Sequence, residues 1–474
     1  MKVFVTGATG FVGRVLVARL LRDGHDVIAY ARNTAKAKSL LGTSVKVVGT
    51  NSQIEFEQAL RESDAVVNLQ GENLFSGRWS KKRKEALRDS RIGFTQELTS
   101  AMEGLGMHAP RILISGSAVG YYGENATNPT DETSAKGTGF LADLCEQWEH
   151  AAQRLTEHGT RVVCIRTGVV LGRDGGAMQK LLLPFQLGLG GRLASGKQHM
   201  AWIHVSDLAE LIVTALADSR YEGVVNGTAP GVVTNDEFTR ALGRALDKPT
   251  PFPVPGFAMQ IALGEASSVL LGGQNVFSSR ATLFGFKYQF ADIDSALREI
   301  VNDGGVVISK NSDGDYVLRQ ELVVGKTLEE VFAFFSNAQN LSVLTPSDMS
   351  FGIRSEVPEQ MEAGVVLEYD IKLGPIPMRW VSRIDSWEDK VKFSDDQLKG
   401  PYGKWYHTHE FEARGPNTAI IDTVAYRIPM GPFGKIAHWI FVKNKLTQIF
   451  AFRRFFAELR FGKAVSKDSL KKAS

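Results

Sequence analysis

The chain opens Lys2-Val3-Phe4-Val5-Thr6 and turns at once through Gly7-Ala8-Thr9-Gly10-Phe11-Val12-Gly13 into an amphipathic stretch. No other feature restricts the fold so tightly. Lys2–Thr6 is a β-branched and aromatic run, and the residues after the turn place Val12, Val15, Leu16 and Leu20 at helical spacing. The three glycines have separate uses. Gly7 permits a backbone conformation that a β-carbon opposes, Gly10 lets the main chain approach a phosphate, and Gly13 lets the helix pack on the strand. The helix start then offers free N–H groups and partial positive charge to a diphosphate. Glycines at this spacing are weak evidence alone, but lying between a strand and a helix they predict dinucleotide binding.

Strand-like and helix-like segments keep alternating. Asp26–Ala31, 45–48, Ala65–Asn68, 111–115 and 161–166 read as further buried strands with helical stretches between them. This alternation predicts a parallel sheet covered on both faces by helices, a Rossmann fold. From about residue 206 the pattern becomes helical (207–216, Asn235–Leu246, Ile293–Val301), broken by Pro249, Pro251, Pro253 and Pro255. We read about 206–301 as a small substrate lobe within a first domain spanning 1–305. Asn302-Asp303-Gly304-Gly305 and Asn311-Ser312-Asp313-Gly314-Asp315 are polar and turn-rich, which suggests a linker at 306–315. Strand patterns at Tyr316–Val324, 365–373, 378–388, 391–395, 404–411 and 418–428, a helix at Leu328–Phe335 and a long helix at about 435–461 then describe an α+β domain, 316–465, whose sheet grips the final helix. A polar tail, 466–474, follows.

With 474 residues the chain is too long for one ordinary core. Its 55 basic and 52 acidic residues leave +3, which gives no case for nucleic acid as a partner. Only Cys145 and Cys164 are thiols, and both lie in apolar patterns, as suits a reducing compartment. The opening strand leaves no place for a signal peptide, and no apolar run is long enough for a bilayer. The expectation is a cytoplasmic protein with no membrane contact.

The second strand ends Ala29-Tyr30-Ala31-Arg32, where an NAD-preferring protein usually carries an acidic residue for the ribose hydroxyls. Arg32 offers a planar cation suited to a 2′-phosphate, so NADP(H) is expected over NAD(H). The bland alternative is a solvated surface arginine.

Over about three hundred residues the chain resembles the extended short-chain dehydrogenase/reductases, which include nucleotide-sugar epimerases and dehydratases. The glycine turn carries the resemblance, with Asn68-Leu69-Gln70-Gly71, Ser115-Gly116-Ser117-Ala118-Val119-Gly120-Tyr121-Tyr122-Gly123, Arg166-Thr167-Gly168 and Ile203-His204-Val205-Ser206-Asp207. Gly77-Arg78-Trp79-Ser80 and Phe140-Leu141-Ala142-Asp143-Leu144-Cys145 point to an atypical epimerase-like subfamily. The resemblance implies cofactor contacts from Gly7, Thr9, Gly10, Phe11, Val12, Gly13, Arg32, Leu69 and Gly71. It also implies a Tyr-x-x-x-Lys pair, yet the matching helix has Phe140 and Leu144, which can neither give a proton nor shift a pKa. Ser117 could instead polarise a carbonyl, and Tyr121 or Tyr122 could give a proton if nearby positive charge lowers its pKa, against the reading that the tyrosines simply pack. His204 reads as a satisfied strand-edge histidine, and Lys81-Lys82-Arg83-Lys84 as a solvated helix face. Arg78 and Trp79 are better candidates for the mouth of an active site.

Residues 316–461 resemble START-like helix-grip domains, a group with polyketide cyclases and lipid-binding proteins, on the segments 396–402, 405–411 and 450–454. The resemblance implies a cavity for an apolar ligand. In Trp405-Tyr406-His407-Thr408-His409, alternation puts both histidines on one face, but spacing shows no third ligand, so no metal is expected. The basic, aromatic final helix, with Ile436, Trp439, Ile449, Phe450 and Phe456, suits its own sheet better than a membrane surface. Two functions remain: an NADP-dependent oxidoreductase or epimerase-like enzyme acting on a small carbonyl or alcohol substrate, and a non-catalytic NADP(H) redox sensor with a ligand-binding module.

Overall fold

The computed structural model describes residues 1–358, 360–373, 376–429, 431, 434 and 438–465. The chain forms two compact units, Met1–Ala37 with Val45–Val301, and Lys38–Ser44 with Asn302–Ser474.

The first unit is built on seven strands: β1 (Lys2–Thr6), β2 (Asp26–Ala31), β3 (Lys46–Gly49), β4 (Ala65–Asn68), β5 (Ile112–Ala118), β6 (Arg161–Thr167) and β7 (Gly223–Gly227). They pair in the order β7-β6-β5-β4-β1-β2-β3, all parallel. The order reverses at β1, with β2 on one side and β4 on the other, so a crevice opens above their carboxyl ends, where such sheets bind ligands. Val3, Phe4 and Val5 are fully buried, because a parallel sheet covered on both faces needs continuous apolar strands. On one face Phe4, Tyr30, Phe56 and Phe94 stack at ring separations of 4.8–6.0 Å under the helices Gln53–Arg61 and Phe94–Leu105. Two helices matter below: α1 (Phe11–Arg22) and α2 (Phe140–Gln153).

The lobe expected from about 206 does not form one block. Helix α3 (Val205–Ala217) packs on α1, with Arg19 Nε 2.7 Å from Glu210 Oε2, and β7 extends the main sheet. Both belong to the Rossmann layers, because α3 is apolar enough to cover the sheet. Asn235–Leu246 and Ile293–Val301 form a separate core with Phe185, Trp202 and Phe290.

The second unit is an eight-stranded antiparallel sheet. Its strands are β8 (Val307–Lys310), β9 (Tyr316–Val324), β10 (Gly352–Ile353), β11 (Val366–Leu373), β12 (Ile376–Glu388), β13 (Lys392–Lys399), β14 (Lys404–Arg414) and β15 (Asn417–Arg427). Their order is β8-β9-β15-β14-β13-β12-β11-β10. The expected linker at 306–315 is thus a correction: Val307–Lys310 is a strand paired with β9, and the residues after it are its hairpin turn. Asn311 Oδ1 accepts the Asp313 and Asp315 amides, and Gly314 takes φ +78°, so the polar residues turn the chain rather than separate domains.

Helix α4 (Leu328–Phe335) and the long α5 (Lys443–Phe461) complete the unit. Leu446 and Phe450 of α5 join one core with Trp380, Trp405, Val424 and Tyr426, while Ala457 and Phe461 join another with Phe332 and Phe411. Trp439, expected on the packed stripe, is instead 78% exposed, on a π-helical turn, His438–Val442. Ile436 and the expected tail 466–474 lie outside the described residues. No helix among the described residues is long and apolar enough to cross a membrane.

Cys145 and Cys164 are free and buried, and burial pushes the Cys145 thiol up to about 12 and Cys164 higher still. The native protein at neutral pH is therefore expected to leave a thiol-reactive dye unreacted, and the unfolded chain to take up two equivalents. Fast labelling of the native protein would contradict this packing.

Candidate functional site

The turn after β1 has the geometry its glycines predict. Gly7 has φ +66°, and a β-carbon there would lie 2.7 Å from the Leu69 carbonyl oxygen. A β-carbon on Gly13 would overlap the Gly7 carbonyl and come within 2.8 Å of Ala8 Cα, so α1 starts against the turn itself. Gly10 is the N-cap of α1 and supplies no side-chain cap, leaving the first amides of Phe11, Val12 and Gly13 directed out of the helix start. Gly10 is exposed, and Thr9 and Val12 are half-buried. The Phe11 side chain faces Gly172, Gly175 and Gly176, where added β-carbons would press on its ring; its main chain stays at the helix start. Leu69 and Gly71 follow β4, with the Leu69 amide 3.3 Å from the Thr6 carbonyl and the Arg91 guanidinium beside Gly71. Beneath them, buried Asn68 accepts from Thr6 Oγ1 at 2.7 Å and donates to Thr95 Oγ1 at 2.9 Å, tying the ends of β1 and β4 together. Arg32, at the end of β2, is 86% exposed, with Glu72 3.9 Å away.

Beyond β5 the structure departs from what was expected of Ser117 and Tyr122. Glu149 of α2 and Arg166 of β6, each 4% exposed, form a bidentate ion pair with both contacts at 2.8 Å. Ser117 Oγ donates to Glu149 Oε1 at 2.6 Å. Its single proton is thus occupied, so it cannot polarise a substrate carbonyl in this arrangement. The Tyr122 hydroxyl accepts from Arg166 at 3.0 Å and donates to Asn226 Oδ1 at 2.9 Å. Burial raises the Tyr122 pKa even though Arg166 opposes the shift, so the lowered value its acid role required is not met. Tyr121 differs. The Arg166 guanidinium lies 3.3 Å from its ring centroid, and its hydroxyl has no partner among the described residues. Glu149 was missed in the sequence. The signal was Arg166 closing the apolar run Val162-Val163-Cys164-Ile165, since a charge there demands a buried partner.

Other sequence candidates fall outside this cluster. Trp79 is buried against Phe140, with its indole nitrogen 2.9 Å from the Leu74 carbonyl, and Arg78 donates to the Ile261 carbonyl. Neither arrangement supports a role at an active-site mouth for Trp79, whose ring is core. Lys81 and Lys82 are exposed, whereas Arg83 and Lys84 pair with Glu72 and Glu265. His204 is buried, caps α3 through the Ser206 amide and meets Glu299 at 3.1 Å.

In the second unit a cavity of about 210 Å³ lies between the sheet and α5, with Tyr369, Trp380, Trp405, His407, His409 and Phe450 in its wall. The third donor that spacing did not reveal beside His407 and His409 is Asp395, brought in from β13 by cross-strand register with His407. Asp422 of β15 stands opposite His409. Its Oδ1 lies 2.9 Å from His407 Nε2 and 2.7 Å from His409 Nδ1. Burial disfavours charge on Asp422, yet Arg453 and His409 hold its carboxyl well below the usual range.

These features define a Rossmann-type α/β unit with an exposed phosphate-type turn at its switch point. The chain belongs to the NAD dependent epimerase/dehydratase family, whose model matches residues 3–226; a domain of unknown function, DUF1731, matches 254–300. The Arabidopsis thaliana epimerase family protein SDR39U1 homolog, chloroplastic, is 41% identical over 64% of this chain and 87% of its own length. The Mycobacterium bovis epimerase family protein Mb2239 is 40% identical over 62% and 96%. The crystal structure of human epimerase family protein SDR39U1 with NADPH has a TM-score of 0.57 at 36% identity, covering 63% of this chain and 99% of that one.

Replacing Glu149 by Gln should destabilise the first unit by roughly 3 kcal/mol, because the buried Arg166 charge loses its counter-ion. Denaturant unfolding reads this directly. An unchanged midpoint would mean that the pair is solvated and does not organise Ser117 and Tyr122.

Proposed function

We propose that the first unit is an NADP(H)-dependent oxidoreductase or epimerase-like enzyme acting on a small carbonyl or alcohol, with Tyr121 as the proton donor. The observation that carries the reading is the uncapped α1 start behind Gly7, Gly10 and Gly13, aimed at the crevice where the strand order reverses. Family membership and the NADPH in the human relative's crystal structure support a nicotinamide dinucleotide in that place. The residues present fit such a group, since no side chain caps the start of α1, Gly10 is exposed, and the missing β-carbons at Gly7 and Gly13 let the helix begin against the turn. The turn residues Gly7, Thr9, Gly10, Phe11, Val12 and Gly13 would hold the diphosphate through their main chain, with Leu69 and Gly71 lining the cofactor. When bound, the dinucleotide supplies the hydride chemistry.

Arg32, exposed at the end of β2, favours NADP(H) by offering two parallel N–H donors to a 2′-phosphate. Tyr121 is the hydroxyl of the trio still able to donate, while Ser117 and Tyr122 hold the neighbouring backbone through Glu149 and Arg166. The second unit we read as a helix-grip module whose aromatic cavity takes a small apolar ligand. The two buried thiols fit a reducing, cytoplasmic setting. A redox-sensor reading draws on Phe140 and Leu144, which stand where the family's acid and lysine belong.

Calorimetry with NADPH and NADH tests the cofactor. Arg32→Asp should weaken NADPH roughly 10–100-fold, the size of a lost charged hydrogen bond, and NADH far less; equal losses would remove the preference. Turnover is tested by following nicotinamide absorbance with aldehydes, ketones and quinones. Tyr121→Phe should slow it about 100-fold with NADPH affinity retained. Tight NADPH binding with no turnover across the panel would favour the sensor.

A further inference from the structure

His407 and His409, two residues apart on β14, point to one face, with ring centroids 3.8 Å apart. Asp422 lies on one side of the pair and Asp395 on the other. His407 Nε2 forms a 2.9 Å hydrogen bond with Asp422 Oδ1, and His409 Nδ1 lies 2.7 Å from the same oxygen without hydrogen-bond geometry. The remaining nitrogen of each ring faces Asp395. Those two atoms, His407 Nδ1 and His409 Nε2, stand 3.8 and 3.6 Å from Asp395 Oδ2. These separations are too long for hydrogen bonds. Two ring nitrogens and a carboxylate oxygen therefore converge on one place, three atoms able to ligate a cation.

The separations suit one. Two donors, each about 2.1 Å from a shared ion, stand 3.6–3.8 Å apart when the angle at the ion is about 120–130°. All three donor atoms lie within 4.8 Å of one another. For His407, Asp422 then supplies what a histidine-ligated metal usually needs, a carboxylate hydrogen-bonded to the far nitrogen that fixes ring orientation. Arg453 Nη2, 3.5 Å from Asp422 Oδ1, offsets part of the negative charge behind the rings. Asp395, His407 and His409 all line the 210 Å³ cavity. A fourth position would therefore open into an aromatic chamber, as in sites that keep one place for an exchangeable ligand.

We propose that Asp395, His407 and His409 form a binding site for one divalent transition-metal ion of the zinc type, with Asp422 as its positioning residue. Imidazole nitrogens and one carboxylate select such ions over magnesium or calcium, which take all-oxygen shells. The open position is fitted to an oxygen-bearing ligand, a carbonyl or carboxylate on an otherwise apolar molecule held by Tyr369, Trp380 and Trp405. The site is independent of the dinucleotide reading, since metal stoichiometry reports on it with no nicotinamide present.

The test uses the untagged full-length protein, stripped with chelator and titrated with Zn²⁺ by calorimetry, with elemental analysis after gel filtration. One equivalent per chain is expected. Asp395→Asn and His409→Ala should each weaken this binding at least about 100-fold, and Asp422→Asn about 10–100-fold. Co²⁺ should give visible ligand-field absorption in the wild type that Asp395→Asn abolishes, a signature that a purely structural role for these residues would not produce. Asp395→Asn is isosteric, and circular dichroism with thermal melting checks that each variant is folded. Two results would overturn the proposal: folded wild type that retains no Zn²⁺, or binding equal in wild type and Asp395→Asn, which would place the ion elsewhere on the chain.

Discussion

The first unit depends on how closely α1 can begin to β1. A β-carbon at position 13 would overlap the Gly7 carbonyl, and one at position 7 would press on Leu69. With both absent, the helix axis points at the carboxyl end of the strand and its first amides stay uncovered. Asn68 then locks β1 to β4 from below through Thr6 and Thr95, so the gap at which strand order reverses keeps a fixed width. A rigid gap with unsatisfied donors on one wall is a place for an anion, and the family's cofactor chemistry starts from that geometry.

Phe140 and Leu144, at the start of α2, carry only hydrocarbon, so the polar organisation of this region lies elsewhere. It runs through a buried bidentate pair, Glu149 with Arg166, that holds Ser117 and Tyr122 by hydrogen bonds and covers the Tyr121 ring. Burying two charges is unfavourable unless nearly every donor and acceptor is met. In this cluster Glu149 accepts three hydrogen bonds, and Arg166 gives three of its own. The pair thereby gives up flexibility for a fixed placement of two side chains that sequence alone would have made chemical actors.

What could be read in the sequence was local. The glycine turn, six of the seven strands of the parallel sheet and both Tyr316–Val324 and Leu328–Phe335 follow from patterns within a dozen residues, whereas the seventh strand, Gly223–Gly227, lies in a stretch that reads as helical. The helix Val205–Ala217 was legible as a helix but not as a partner of α1, because an apolar stripe does not say which surface it covers. The stretch after Val301 misled for a related reason. Asparagine, aspartate and glycine mark a turn equally well between domains and within a hairpin, and only the pairing of Val307–Lys310 with β9 separates the two.

The histidine pair carries the same lesson furthest. Spacing of two along a strand announces a shared face, yet a site needs donors that come from neighbouring strands, whose register is set by the whole sheet. Asp395 precedes His407 by twelve residues and Asp422 follows His409 by thirteen. Neither interval is a metal-binding spacing, because each counts residues around a hairpin rather than along a ligand loop. In an antiparallel sheet, residues at such intervals become direct neighbours once the turn lengths are fixed, as the pairs Asp395 with His407 and His409 with Asp422 do here. A polar residue on the inward face of an aromatic strand is therefore better judged by its cross-strand partners than by its own sequence. By that criterion the four residues form one cluster rather than four isolated core substitutions.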